Sequence, residues 1–129
     1  MSDQKSPSTE QILAGMRQGM GRVPGAIEKS VTADPALIHE HMRSRAFSMP
    51  QGGALDDETR TLIYLAASLA GSSHACVQAM ADKISQQSIP AAKVVETIRI
   101  VRYAMATKVI GDAEAVFDVL NKTENDGKQ

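Results

Sequence analysis

One residue of this chain stands out as a nucleophile. Cys76 is the only cysteine in 129 residues, and it follows Ser73 and His74 in the stretch Gly71-Ser72-Ser73-His74-Ala75-Cys76. The small residues before it mark a joint between two helices, so Cys76 falls in the first turn of the second. Free amides and the helix dipole favour an anion there, which lowers a thiol pKa and makes thiolate chemistry available. Burial works the other way. Val77 and Met80 share the stripe of Cys76, and a free cysteine is often no more than a small buried apolar residue. The expectation is that burial wins, leaving the thiol largely buried and not far below the range of a free cysteine. His74 can polarise the thiol only if the joint is not helical, because residues two apart on a helix diverge. Arg60, on the preceding helix, has a guanidinium of the kind that grips a carboxylate bidentately; the plainer alternative is an exposed first-turn arginine.

Other chemistry is poorly supported. His39, Glu40 and His41 are metal-binding types, but helical ligands need a spacing of three or four, so they read as a solvated face. No glycine-rich phosphate loop or metal-spaced Cys/His set is present. A formal net charge of −1 gives no basic footprint for nucleic acid. No apolar run approaches the roughly 20 residues of a membrane span, and the N-terminus lacks the apolar centre of a signal peptide. One cysteine excludes a disulfide within the chain. These observations lead to the expectation of a cytoplasmic protein with no cofactor, no nucleic-acid partner and no membrane partner.

The elements that must position Cys76 are helical. Leu62, Leu65, Ala66, Leu69 and Ala70 recur on one face of a helix capped by Asp56, with Asp57 and Glu58 in its first turn and Gly71 as a left-handed stop. Ser72 or Ser73 caps the next, whose stripe is Ser73, Cys76, Val77, Met80 and Ile84. Upstream, Ser8 and Gln11 form a capping box before Ile12, Met16 and Met20. A short helical turn runs from Gly25 to Val31, and Asp34-Pro35 opens a helix to about Phe47. Downstream, Ser88-Ile89-Pro90 opens a long helix with Val94, Ile98, Val101 and Met105 inward. Gly111 ends it, and Asp112 caps a last helix carrying Ala113, Val116, Phe117 and Leu120. Lys93, Arg99, Arg102 and Lys108 form the solvated or inter-subunit face of the long helix. No segment alternates as a strand. The expectation is an all-α bundle of about six helices in one domain spanning 8–122, between a disordered segment 1–7 and a polar tail 123–129. Aromatic residues make up only 3%, so the core must be built from slim aliphatic side chains that allow close helix packing.

The frame resembles the carboxymuconolactone decarboxylase and alkylhydroperoxidase D family over roughly residues 10–122. Family members read approximately Leu-x-x-x-x-Arg-Glu-Leu-Ile-x-Leu-Ala, then small residues, then Cys-x-x-Cys-x-x-x-His. This chain has Leu55, then Arg60-Thr61-Leu62-Ile63-Tyr64-Leu65-Ala66, then Ser73-His74-Ala75-Cys76 and Met80. Gly21-Arg22-Val23-Pro24 and Asp34-Pro35-Ala36-Leu37 resemble its upstream segments. The resemblance implies an alkylhydroperoxidase D-like helical bundle assembled as a trimer or hexamer. In the redox branch one cysteine attacks a peroxide and the second resolves it as a disulfide, with a glutamate and a histidine as proton relays. By position the first cysteine is Ser73, the second Cys76, the glutamate Thr61 and the histidine Met80. A further family histidine would fall at Ala75, next to His74. The dithiol cycle is therefore not available within one chain.

Three functions follow as expectations: a family enzyme or relative with an incomplete redox centre, a thiol-independent decarboxylase-like enzyme drawing on Arg60, His39, His41 or His74, and a non-catalytic oligomeric binding protein with a small-molecule ligand. Apolar flanks at Ile63, Tyr64, Ala67, Ile100 and Val109 point to a homo-oligomer, because such surface is better buried against another subunit.

Overall fold

A computed structural model describes residues 5–128. They form seven α-helices: α1 Thr9–Met20, α2 Gly25–Ala33, α3 Ala36–Ser48, α4 Asp57–Ala70, α5 His74–Gln86, α6 Ala91–Asp112 and α7 Glu114–Asp126. No strand occurs among the described residues, so the fold is an all-α helical bundle. The stretch expected as a single turn after Gly25 is a nine-residue helix. Part of the expected disordered segment, residues 1–4, lies outside the described residues, as does residue 129; residues 5–8 lack regular structure. The tail expected from Thr123 is helical to Asp126.

The described residues cluster into two compact units, one ending at Ile89 and one beginning at Pro90. In the first, α4 packs along α5, α3 packs against α1 and α2, and α1 also touches α5. Ile12, Ile38, Leu65, Met80 and Ile89 are its buried apolar core. Local chemistry fixes the helix starts. Ser8 Oγ accepts from the Gln11 amide at 3.2 Å, and Gln11 Oε1 accepts from the Ser8 amide at 2.8 Å, which satisfies two first-turn donors reciprocally. Asp56 Oδ1 accepts from the Thr59 amide at 2.7 Å. For α3 the cap moves by one residue: Pro35 takes the N-cap position, and Asp34 Oδ1 accepts from the Ala36 amide at 2.9 Å.

The end of α4 departs from expectation. Gly71 has φ −85°, and Ser72 is the left-handed residue at φ 55°. The Ser72 amide bonds Leu69 O at 3.3 Å and the Ser73 amide bonds Ser68 O at 2.9 Å, the double closure of a Schellman motif. The same pattern ends α5, where Ser88 is left-handed (φ 50°), its amide reaches Ser85 O, and the Ile89 amide reaches Ile84 O. Serine tolerates this conformation at a cost that glycine would not incur. The closure at Ser72 turns the chain within three residues, so α5 runs back along α4 and Cys76 faces it. An ion pair holds α5 from the other side. Arg22 Nε and Nη2 donate to Asp82 Oδ2 at 3.3 and 3.2 Å, and Gln78 donates to Oδ1 at 3.3 Å.

In the second unit, α6 and α7 pack against each other and neither contains a buried residue. Helix α6 continues past Gly111 to Asp112, and Ala113, not Asp112, occupies the N-cap of α7. Asp112 instead accepts an ion pair from Lys108. Among the described residues, no helix is long and apolar enough to cross a membrane.

Candidate thiol site between α4 and α5

The buried face of α4 is turned relative to the expected stripe. Thr61, Leu65 and Ser68 are buried, whereas Ala70 is exposed. Two of these are hydroxyl residues whose polar atoms bond locally. Thr61 Oγ1 donates to Gln87 Oε1 at 3.0 Å, and Ser68 Oγ donates to Tyr64 O at 2.7 Å. That rotation brings Tyr64 towards α5. It was expected among the apolar flanks facing another subunit; it is half-buried, and its hydroxyl lies 3.5 Å from Cys76 Sγ.

Tyr64, Ala67, Ser68, Ser73 and Cys76 line an open pocket of about 230 Å³. A larger open groove of about 800 Å³ runs along α6, lined by residues including Val95, Glu96, Arg99 and Tyr103, but it holds no thiol. Ser73 is the N-cap residue of α5, yet its side chain makes no capping bond. It lines the same pocket as the thiol instead. The neighbouring hydroxyls, Ser73 first and then Tyr64, hold the thiol below its ordinary range against partial burial; of these, the Tyr64 hydroxyl lies within hydrogen-bond reach of the sulfur, while Ser68 contributes little and gives its own proton to Tyr64 O. These hydroxyls favour the charged form. Cys76 is thus only partly buried, not largely buried as expected from the Val77–Met80 stripe, and its pKa is lowered. The missing signal was Tyr64: twelve residues away and on another helix, it has no spacing relation to Cys76. The phenol is shifted in the opposite direction. Its hydrogen bond to Cys76, desolvation and the nearby thiolate charge raise the Tyr64 pKa, against a smaller lowering by the Arg45 cation.

The other expected site residues lie apart from this pocket. Arg60 is not a free cation. Its Nε and Nη2 donate to Leu55 O at 2.9 and 2.7 Å, and its Nη1 donates to Pro50 O at 2.9 Å. The side chain is 17% exposed, so it ties the 50–55 loop to the start of α4. His74 is the exposed first residue of α5 and is not among the thiol's hydrogen-bond partners. His39 Nε2 bonds Thr9 Oγ1 at 2.9 Å, and His41 is exposed. None of these four lines the pocket. Thr61, at the position the resemblance gives to the relay glutamate, is spent on Gln87. Met80, at the histidine position, is 7% exposed core. Among the described residues no group of three or more His, Cys, Asp or Glu is placed to hold a metal ion.

No protein-family model matches the chain, and no curated protein matches it significantly.

Proposed function

We propose that this chain is a carboxymuconolactone decarboxylase and alkylhydroperoxidase D-like protein whose redox centre has contracted to one thiol, Cys76. A small peroxide oxidises Cys76 to the sulfenic acid, and small monothiols regenerate it through a mixed disulfide. The turnover that passes through a disulfide within one chain is lost, because Ser73 stands where the first cysteine would be. The observation that carries this reading is the Cys76 sulfur in an open pocket with the Tyr64 hydroxyl 3.5 Å away. A lowered thiol pKa and partial exposure are the two attributes a peroxide-sensitive cysteine needs. The pocket is lined by a phenol, two hydroxyls and a methyl group and by no charged side chain besides the thiol, which suits a small neutral oxidant better than a dicarboxylate. The decarboxylase-like reading loses support from the same geometry, since Arg60, its best cation, is committed to carbonyl groups.

The functional form is a homo-oligomer, a trimer or hexamer. Ile100 (62% exposed) and Val109 (68%) remain open along α6, with Ile110 beside Val109, Val119 on α7 and Ile63 on α4 exposed as well. Apolar surface on this scale is better covered by another copy than left in water.

The test is chemical trapping. After brief exposure to one equivalent of hydrogen peroxide, dimedone should add to Cys76, as mapped by peptide mass. A thiol that stays free and unlabelled at that ratio would refute the reading.

A further inference from the structure

We infer that Tyr64 is a catalytic residue of this centre, giving its hydroxyl proton to the oxygen that leaves when Cys76 Sγ attacks a peroxide. The inference rests on the single-thiol reading above and supplies what that reading lacks. Attack of a thiolate on a peroxide expels an alkoxide or hydroxide, a poor leaving group until protonated, and a positioned acid is worth on the order of 10²-fold or more. Neither residue at the family's relay positions can serve: Thr61 is buried on Gln87 and Met80 has no proton to give. Tyr64 Oη is 3.5 Å from Sγ and lines the same pocket, so a peroxide bound against the sulfur also meets the phenol.

The step balances as follows. With the shared proton on Oη and the sulfur as thiolate, an S–O bond forms and the O–O bond breaks. Sulfur gives up two electrons, the peroxide is reduced to alcohol or water, the phenol proton goes to the leaving oxygen, and a solvent proton restores the phenol. The environment suits this division of labour. Hydrogen bonding to Cys76 and burial keep the phenol protonated, while Ser73 and Tyr64 together favour the thiolate. The charged groups that bear on Tyr64 are Cys76 from α5 and Arg45 from α3; Arg45 pulls the phenol down, but less strongly.

Alkylation by iodoacetamide separates proton delivery from thiolate supply, because iodide leaves without a proton. Both rates are to be measured against pH on the full chain, for wild type, Tyr64→Phe and Ser73→Ala. In Tyr64→Phe the alkylation midpoint should rise. Above that midpoint alkylation should equal wild type, while the hydrogen peroxide rate falls about 10²-fold. Ser73→Ala should raise the midpoint but leave the ratio of the two plateau rates unchanged. A Tyr64→Phe plateau ratio equal to wild type overturns the role of Tyr64 and leaves the single-thiol reading standing. A wild-type peroxide rate no faster than that of free cysteine at equal thiolate overturns both. If Tyr64→Phe does not fold, fluorotyrosine incorporated in a Tyr103→Phe background, where Tyr64 is the only tyrosine, gives the same test. The more acidic phenol should move the alkaline fall of the peroxide rate to lower pH by more than it moves the alkylation midpoint; an unmoved fall overturns the proposal.

Discussion

Replacing Arg60 distinguishes a structural clamp from a substrate-binding cation. The guanidinium satisfies two backbone carbonyls, Leu55 O with two donors and Pro50 O with one. A hydrogen bond to a charged group is worth about 1.5 kcal/mol at the lower end of its range, so two acceptors give roughly 3 kcal/mol. Water can reach part of the site, which reduces the expected loss for Arg60→Ala to about 2 kcal/mol. Asp57, 3.7 Å away and 83% exposed, adds little. Arg60→Lys keeps the charge but not the fork, and should lose about half as much. Urea unfolding followed by far-UV ellipticity reads this directly: with a slope of roughly 1–3 kcal/mol per M, the Arg60→Ala midpoint should fall by about 1 M. Alkylation of Cys76 in the folded variant should be unchanged, because Arg60 does not line the pocket. A stability change below about 0.5 kcal/mol, with weakened binding of a small carboxylate, would refute the clamp and restore Arg60 as a ligand-binding residue.

Two further outcomes follow from the same geometry. Ser73→Cys places a second thiol on the pocket that already holds Cys76, so mild oxidation should convert two free thiols into one disulfide within the chain; a product linked only between chains would contradict the placement of Ser73 beside Cys76. Light scattering in dilute buffer should report a trimer or hexamer, and a single 13.8 kDa species at micromolar concentration would contradict the assignment of the exposed α6 and α7 residues to a self-interface.

What was legible in the sequence was local. The Ser8–Gln11 box and the Asp56 cap involve residues three apart, and their bonds form as the spacing predicts. What was not legible depended on polar residues turning inward. Thr61 and Ser68 are uncounted in an apolar stripe, yet both are buried because Gln87 and the Tyr64 carbonyl satisfy them. That rotates α4 enough to move Tyr64 from an expected outer flank to the thiol. The joint misled for a related reason: glycine is the favoured left-handed residue, but Gly71 sits one position too early and Ser72 takes the turn. Arg60 was visible as a notable cation, but its partners are carbonyl groups in a loop, and no side-chain pattern announces them.

The central claim is that Cys76 is an activated thiol on an accessible pocket. Its most direct test is the rate of alkylation of Cys76 by iodoacetamide as a function of pH in the native protein. Neighbouring hydroxyls that favour the charged form lower the pKa, so the rate should rise through a midpoint below that of free cysteine. Ser73→Ala, which removes the largest of the influences that lower it, should move the midpoint up. A midpoint at or above that of free cysteine, or a thiol that reacts only on unfolding, would contradict the account.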